Sequence, residues 1–350
     1  MSDAAAASVE VSATGALASV QDLGRPGWRR FGVPAAGALN PGWLRIANAL
    51  AGNDEAAAAI EFFIAGPTLL AVDAPVRLGF AGNFPLLLLR DGASTSFDGW
   101  CSLTLRPGDS VRAGSPRGGR VGYVALHGLA VPTVLGSAST YARAGLGGID
   151  GRALRVGDRL RVLAVAPQGA DRVLRAPPAT NNAPIRAVPG PQDDHFDAAA
   201  LATFFGSEWR VSREADRMGL RLDGTPLQHR PERGAEVVSD AAVPGSVQVP
   251  GKGLPIVLLA DGGTVGGYPK IATVVSADLP RLACAAVGAT LRFAAVSVAE
   301  AEALARAAEV ELQAVIASIT PLGRLGGVDL DAIYLNNLVS GMIDAHDLRD

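Results

Sequence analysis

Short apolar runs follow one another through both halves of the chain, and most are bounded by Gly, Pro, Asp or Ser. Runs of this length with turn residues at both ends predict β-strands. The first half contains SVEVSAT, LASV, TLLAV, VRLGF, PLLLLR, CSLTL, GYVAL and RLRVLAV, and the second half WRVSR, MGLRL, AEVVS, SVQV, PIVLLA, IATVVS and ATLRFAAV. The pattern therefore predicts a mainly β fold with a few helices.

A helix signal interrupts the strands of the first half. Asn40 and Pro41 precede the stretch GWLRIANALAG, in which Leu44 and Leu50 recur at helical spacing. Asn is a good N-cap, Pro suits the first helical position, and Gly52 follows the last turn. We therefore expect a helix near residues 41–51.

Two further helices are predicted in the second half. The stretch HFDAAALATFFG follows a strand and a turn, and we expect Asp193 or Asp194 to cap its helix and Gly206 to end it. Ser297 and Glu300 form an S-x-x-E capping box, which predicts a long helix to about residue 317. The later segment DLDAIYLNNLVSGMIDAH is apolar enough to dock on another surface.

The length of 350 residues is too great for one small core and predicts more than one domain. Residues 166–184, APQGADRVLRAPPATNNAP, have the composition of a linker and no periodicity. We expect an N-terminal β-barrel-like subdomain at 1–175, a second barrel-like subdomain at 176–295 and a helical extension at 296–350. The role of residues 318–350 is left open.

Composition narrows the classes of partner. Hydrophobic residues make up 49% of the chain, and the net charge of −3 provides no basic field for nucleic acid or an acidic membrane. No apolar run reaches the roughly 20 residues of a membrane span, and the start MSDAAAASVEV lacks the basic region of a signal peptide. Cys101 and Cys284 are far apart in apolar segments and are expected to be reduced, which favours a cytoplasmic protein.

The stretch GGTVGGYPK, residues 262–270, is the strongest candidate for a site. The chain has 31 Lys plus Arg, but Lys252 and Lys270 are its only lysines, so an ammonium group here suggests a need that Arg cannot meet. Glycines such as Gly266 and Gly267 can adopt positive φ and expose backbone N–H groups to an anion. Tyr268 adds a flat face and a phenol.

Gln248 on the neighbouring strand SVQV would add an amide for a planar, urea-like molecule. Together the loop and this strand predict a site for a small planar polar substrate. The alternative, a glycine-rich hairpin with a surface lysine, has equal weight on the sequence alone.

Three other stretches carry polar residues in shaped loops. In residues 20–42, Gln21, Asp22 and Arg25 lie around a tight turn and could be held there for binding. The alternative is an elaborate loop that packs on a barrel. Arg29 and Arg30 of this stretch are expected on a solvated face. Residues 188–197 hold Gln192 and Asp193 at a strand-to-helix junction, where paired carboxylates could supply a general base or simply a cap. Residues 212–224 contain Arg217, which could instead pair with Glu214 or Asp223 across a hairpin.

Several familiar chemistries have no signature in the chain. The motifs G-x-S-x-G, G-x-G-x-x-G, H-E-x-x-H and C-x-x-C are missing, and the four histidines lack metal-ligand spacing, so no metal site is predicted. Neither lysine lies in a Walker A loop, and there is no Met-Lys-Met acceptor for biotin. If the function uses ATP, this chain is not expected to bind it through a Walker A loop. If the function uses biotin, another protein or domain is expected to carry it.

The stretches SVQDLGRPGWRRFGVPAAGALNP, AIEFFIAGPTL, VPGPQDDHF, ADRMGLRLDG and LLADGGTVGGYPKIATVVSADLPRL together resemble the biotin-dependent carboxyltransferase family. This group also includes the second component of allophanate hydrolase and the C subunit of 5-oxoprolinase. The resemblance runs from about residue 8 to 295, with the motifs in the expected order.

The resemblance implies two cyclophilin-like β-barrel subdomains and a smaller partner from the same family. In bacterial 5-oxoprolinase such a pair works with a third protein to hydrolyse 5-oxo-L-proline to L-glutamate using ATP. In urea carboxylase the equivalent domain transfers a carboxyl group from carboxybiotin, carried elsewhere, to urea.

The resemblance also assigns site residues, with Lys270 and Asp193 as the catalytic pair. The substrate-binding residues it implies are Gln21, Asp22, Arg25, Gln192, Arg217, Gln248, Gly266, Gly267 and Tyr268. One departure is Val265, which stands where a Thr is expected and removes a hydroxyl.

Three functions stay open at this point. The first is the C subunit of an ATP-dependent 5-oxoprolinase, active only in a heteromeric complex with the B-type and A-type subunits of that enzyme. The second is a biotin-dependent carboxyltransferase component that acts on urea or a related small amide. The third is a regulatory protein that binds and antagonises a kinase-inhibitor-like partner.

Overall fold

A computed structural model describes residues 7–163, 169–179 and 181–322, together with the backbone of two short paired strands, β24 (Arg324–Leu325) and β25 (Val328–Asp329). The apolar segment at 329–346, predicted to dock, lies outside the described residues apart from the backbone of Asp329.

The first half consists of two antiparallel sheets that share a core. Its strands are β1 (Ala7–Ala13), β2 (Leu17–Gln21), β3 (Ala59–Phe63), β4 (Thr68–Ala71), β5 (Val76–Ala81), β6 (Pro85–Arg90), β7 (Ala93–Asp98), β8 (Ser102–Leu105), β9 (Ser110–Ala113), β10 (Val121–Leu126) and β11 (Arg159–Val162). The strand orders are β11-β1-β4-β9-β6-β7 and β2-β3-β10-β5-β8. Alternating side chains such as Val9 and Val11 of β1 are fully buried between the sheets.

The predicted helix near 41–51 is present as α1 (Pro41–Ala51). The Asn40 side chain accepts a hydrogen bond from the backbone N–H of Trp43 at 3.1 Å, and Gly52 ends the helix in the left-handed conformation with φ 86°. The helix lies directly on the sheet at Gly79, where a Cβ atom would stand 2.1 Å from the carbonyl oxygen of Ala47. Only glycine permits this approach.

The second half is built around one eight-stranded sheet in the order β21-β14-β15-β18-β17-β20-β13-β22. The strands are β13 (Ile185–Pro189), β14 (Trp209–Val211), β15 (Gly219–Asp223), β17 (Ser246–Gln248), β18 (Ile256–Leu258), β20 (Lys270–Val274), β21 (Thr290–Leu291) and β22 (Phe293–Ala295). A separate two-stranded ribbon, β16 (Asp240–Ala241) with β19 (Val265–Gly266), lies over one part of this sheet. The mainly β prediction is confirmed.

The helices of the second half are α2 (Ala198–Gly206), α3 (Leu279–Ala283) and α4 (Val298–Ala317). The capping box of Ser297 and Glu300 is present, as predicted. The predicted cap of α2 is wrong: Asp197 caps the helix, and its carboxylate accepts from the N–H of Ala200 at 2.7 Å. Asp193 and Asp194 belong instead to a preceding 3-10 turn, Asp193–His195.

The described part of the predicted linker packs against the first half. Strand β12 (Arg172–Val173) pairs with β23 (Thr320–Pro321), and the N–H of Leu174 donates to the carbonyl of Trp100 at 2.9 Å. Helix α4 also returns to the first half, since Arg45 of α1 forms two hydrogen bonds of 2.7 and 2.8 Å with Glu309. These contacts do not test the boundaries proposed after residues 175 and 295, which stay a prediction.

Both cysteines are buried free thiols, as predicted. None of the helices within the described ranges combines the length and the apolar character needed to cross a bilayer.

Candidate functional site

Lys270 is the first residue of β20 and is only 2% exposed. Its ammonium group lies 3.0 Å from the Oδ2 atom of Asp240. A buried ammonium requires a partner because its desolvation is costly. The alternative of a surface lysine is therefore wrong, and the scarcity of lysine in this chain did indicate a special position.

Asp240 is a site residue that sequence reasoning missed. Strand β16 carries it opposite Gly266 of β19, so the ribbon holds the carboxylate over Lys270. The hydrogen bond from Lys270, with further ones from the N–H of Ala241 and the amide of Gln192, lowers the pKa of Asp240. About half of the Asp240 side chain is exposed. The carboxylate is therefore ionised at neutral pH and accessible from solvent.

Gln192 connects this pair to the predicted PGPQDD turn. Its Nε2 donates to Oδ2 of Asp240 at 2.8 Å, and its Oε1 accepts from the N–H of Lys270 at 3.1 Å. Its own N–H donates to the carbonyl of Lys270, also at 3.1 Å. Gln192 thus fixes both the lysine backbone and the carboxylate.

Asp193, the predicted catalytic carboxylate, follows Gln192 but does not contact Lys270. Within the described part of the chain, its carboxylate makes no hydrogen bond, and the backbone of Asp193 only accepts from the N–H of Phe196 at 3.0 Å. Asp240, and not Asp193, is the carboxylate beside the ammonium. A catalytic role for Asp193 stays a prediction.

Gln248 lies beside Lys270, as predicted, because the two residues pair between β17 and β20 across a β-bulge. The side chain is 7% exposed, and its Nε2 has no hydrogen-bond partner within the described residues. Buried donors are nearly always paired, so an unpaired one next to a buried ammonium can serve as a donor to a bound molecule.

The glycines of the loop act through close approach and not through positive φ. A Cβ atom at Gly266 would lie 2.1 Å from Nε2 of Gln248, so glycine keeps the space above that amide. None of Gly262, Gly263, Gly266 and Gly267 has the left-handed conformation that was expected. The carbonyl of Gly267 accepts from the N–H of Val237 at 2.9 Å, and the neighbouring Tyr268 is 41% exposed at the rim.

Gln21, Asp22 and Arg25 are placed away from this cluster. The Asp22 carboxylate accepts from the N–H of Gly24 at 2.7 Å, from the N–H of Ala138 at 2.6 Å, and from two serine hydroxyls.

The other two residues of this motif contact the same segment. The guanidinium of Arg25 donates to the carbonyl of Ser139, and the Gln21 amide donates to the carbonyl of Thr140 at 3.2 Å. All three side chains thus hold the 20–25 turn against residues 134–140. The contacts favour the packed-loop alternative, and the assignment of Gln21, Asp22 and Arg25 to the substrate site stays a prediction.

Arg29 is the residue of this motif that reaches the glycine loop. Its Nη2 donates to the carbonyl of Gly263 at 3.0 Å and to the carbonyl of Ala242, so it holds both sides of the β16–β19 ribbon. The prediction of a solvated Arg29 is therefore wrong. Arg30 does lie exposed, with its guanidinium 4.8 Å from the ring centre of Phe31.

Arg217 is buried at the junction of the two halves and does not line the site. Its guanidinium forms two hydrogen bonds with Asp261, of 2.9 and 2.8 Å, and an ion pair with Glu61 of β3. The predicted partners across the hairpin are wrong, since Glu214 pairs with Arg221 at 3.2 Å. Arg217 therefore joins the halves, and its assignment as a substrate-binding residue stays a prediction.

Glu61 has two further partners. The Tyr123 hydroxyl donates to its Oε2 at 2.5 Å, and the N–H of Leu39 donates to the same atom at 2.7 Å. Glu61 is fully buried, so this network depends on the arginine for its charge balance.

The cluster formed by Lys270, Asp240, Gln192 and Gln248 offers two donors and one ionised carboxylate at one place. The ammonium and the unpaired amide can donate to a carbonyl oxygen, and the carboxylate can accept from an N–H of the same molecule. This arrangement complements a small amide or ureide, which carries both groups in one plane.

The sequence matches a known protein family. A family model described as "Carboxyltransferase domain, subdomain A and B" matches residues 31–295. The chain belongs to this family. The carboxyltransferase match contains the whole Lys270 cluster and begins after Gln21, Asp22 and Arg25.

Two curated bacterial relatives cover most of the carboxyltransferase-family chain. The 5-oxoprolinase C subunit of Escherichia coli is 37% identical over 299 residues, which are 84% of this chain and 93% of that protein. The 5-oxoprolinase C subunit of Haemophilus influenzae is 37% identical over 300 residues, again 84% and 93%.

Solved carboxyltransferase relatives are longer. The urea amidolyase of K. lactis superposes with a TM-score of 0.78 and is 28% identical. The match covers 88% of the present chain but only 20% of the urea amidolyase. Another solved neighbour has a TM-score of 0.73 at 33% identity, and this chain covers 57% of it. The fold of the family thus occurs both in separate proteins and within larger ones.

Proposed function

We propose that this chain is the C subunit of an ATP-dependent 5-oxoprolinase, which converts 5-oxo-L-proline to L-glutamate. The observation that carries the proposal is the 37% identity to the C subunit of E. coli 5-oxoprolinase over 93% of that protein. The urea-cleaving relatives match less closely and over a small part of their length.

The site chemistry supports a lactam substrate. The lactam carbonyl oxygen would accept from the Lys270 ammonium and from the unpaired Nε2 of Gln248, while the ring N–H would donate to Asp240. Donors aimed at an oxygen that gains negative charge stabilise the transition state of carbonyl chemistry. Gln192 would keep Asp240 oriented for the N–H.

The activity requires further proteins under this proposal. A smaller, B-type member of the carboxyltransferase family and an A-type protein would complete the heteromeric enzyme, in the cytoplasm. ATP would be used by the complex. The partly exposed Asp240 and Tyr268 would then lie where one of these partners closes the site over the substrate.

A second candidate is transfer of a carboxyl group from carboxybiotin to urea or a related amide. The TM-score of 0.78 with K. lactis urea amidolyase favours it. The ureido oxygen that biotin leaves after transfer would accept from the same Lys270 and Gln248 donors. Biotin would be supplied by a separate carrier protein.

The test is co-expression of this chain with its B-type and A-type partners, followed by measurement of glutamate released from 5-oxoproline with and without ATP. We expect ATP-dependent release, and no release by the chain alone. If the complete set releases no glutamate, the first proposal is wrong. Carboxylation of urea with a biotinylated carrier would then support the second.

The role of Lys270 is tested in the same assay. Lys270→Arg keeps the charge but not the compact ammonium geometry, and loss of one oxyanion donor typically costs about 100-fold or more in rate. Lys252→Arg is the matched control, because Lys252 is the other lysine and is exposed. Full activity of Lys270→Arg would exclude a catalytic role for the ammonium, and a melting temperature close to wild type shows that the fold is intact.

A further inference from the structure

A large cavity lies away from the Lys270 cluster. It has a volume of about 1030 Å³ and shares no residue with that cluster. Its walls come from loops of the first half, from residues 173–179 and 181–183, and from residues 277–292 of the second half. The volume lies at the upper end of the range of roughly 300–1000 Å³ that small-molecule sites occupy.

The lining of this cavity is positively charged although the chain as a whole is acidic. Four arginines line it, Arg117, Arg175, Arg281 and Arg292, against the single acidic residue Asp98. Arginine binds phosphate and carboxylate oxygens through paired N–H donors. The cavity is therefore suited to an anion.

The arginines at the mouth are available to a ligand. Arg175 is exposed and forms no ion pair within the described ranges. Arg117 and Arg292 pair with Asp98 and Glu208, but more than half of each of these four side chains is exposed. Exposed ion pairs are weak, so a multiply charged ligand can displace them.

Arg281 supports one wall of the cavity. Only a quarter of its side chain is exposed, and its guanidinium donates to the carbonyls of Asn181, Ala183 and Pro184. Asp278 is held mainly by a two-bond fork from Arg186 and lies 3.6 Å from Arg281. Arg281 therefore fixes the 181–184 wall of the cavity and adds positive charge there.

The apolar part of the cavity is aromatic. Trp43 of α1 and Trp100 both line it, with ring centres 5.2 Å apart and ring planes at 86°. Trp100 is 7% exposed, so its ring is held rigidly. The side-chain amides of Asn83 and Asn182 line the same space and can donate to or accept from a heterocycle.

We propose that this cavity binds a nucleoside triphosphate, with the phosphates at Arg117, Arg175 and Arg292 and the base against Trp43 and Trp100. Positive charge alone would fit any anion, but the aromatic pair and the amides fit a flat heterocycle on the same ligand. The proposal does not depend on 5-oxoprolinase activity, because binding is measured without turnover.

The experiment uses the full chain, titrated with ATP in the presence of Mg²⁺ and followed by calorimetry and tryptophan fluorescence. We expect binding that weakens as salt increases and a fluorescence change that is lost in Trp43→Phe. Arg175→Ala and Arg117→Ala should each weaken binding, by about tenfold together. Arg306→Ala, on the exposed face of α4, is the matched control and should bind as wild type.

Three results would overturn the proposal. The first is no ATP binding by a chain that melts normally. The second is equal affinity in the Arg175→Ala/Arg117→Ala double variant and in Arg306→Ala. The third is equal affinity for inorganic triphosphate and for ATP, which would show that the base makes no contact with the tryptophans.

Discussion

Replacement of Arg217 by Met removes the cation from the buried junction while keeping a side chain of similar length. Glu61 and Asp261 would then face each other without their shared arginine, and the carbonyl of Gly37 would lose a hydrogen bond of 2.7 Å. Since Glu61 is fully buried, water cannot replace the lost partner without opening the interface.

The expected cost follows from this geometry. Removing one partner of a buried ion pair typically costs about 3–5 kcal/mol, because an uncompensated charge stays behind. With about 2.1 cal/mol/K of unfolding entropy per residue, the melting temperature should fall by roughly 4–7 °C if all 350 residues unfold together.

The assay is urea unfolding and calorimetry of Arg217→Met beside Arg221→Met. Arg221 is the matched control, because it lies on β15 with half its side chain exposed and should change stability by less than about 1 kcal/mol. Adding Glu61→Gln to Arg217→Met removes one uncompensated charge and should recover part of the loss.

The reasoning would be refuted if Arg217→Met unfolds within about 1 kcal/mol of wild type. Loss of activity at unchanged stability would point instead to the substrate-binding role that the family resemblance implied. Equal instability of the single variant and the Arg217→Met/Glu61→Gln double variant would show that the buried charge is not the cause.

Two further predictions concern the contacts that hold the site and its supports. Arg29→Ala should lower the kcat of the assembled enzyme about tenfold with a small change in melting temperature, because the charged hydrogen bonds that hold the ribbon are lost. The control is Arg30→Ala, which changes an exposed side chain and should behave as wild type. Equal kcat in the two variants would exclude a positioning role for Arg29. Burial raises the pKa of Asp278, but hydrogen bonds from Arg186 outweigh it and hold the pKa below its ordinary value, so this stabilisation is present above the ordinary carboxyl pKa and is lost as the pH falls through the lowered one. Asp278→Asn should therefore reduce the unfolding free energy in urea more at pH 7 than at pH 3, and an equal loss at both values would contradict this sign.

Elements with local signals were predictable from the sequence. Helix α1 begins and ends where Asn40 and Gly52 indicate, and α4 begins at its capping box. The cap of α2 was missed because three aspartates precede that helix and capping preference cannot choose among them. The first two are used in the 3-10 turn, which leaves Asp197 as the cap.

The candidate site was predictable only in part. The scarcity of lysine identified Lys270, and the adjacent strand identified Gln248. Asp240 carries no local signal, because its place beside Lys270 depends on the pairing of β16 with β19. A contact set by tertiary pairing has no local motif, and the sequence pattern points instead to the adjacent carboxylates of the PGPQDD turn, Asp193 and Asp194.

The contacts between the halves explain how the 20–42 loop supports the Lys270 cluster without lining it. Asp22 and Arg25 fix the first turn of the 20–42 loop against residues 134–140, and Arg29 from the same loop then donates to the carbonyls of Ala242 and Gly263 beside the β16–β19 ribbon. The Arg217 network draws the two sheets together at the same junction. An isolated second half would lack the donor that holds its ribbon, so the geometry of Asp240 over Lys270 depends on both halves of the chain.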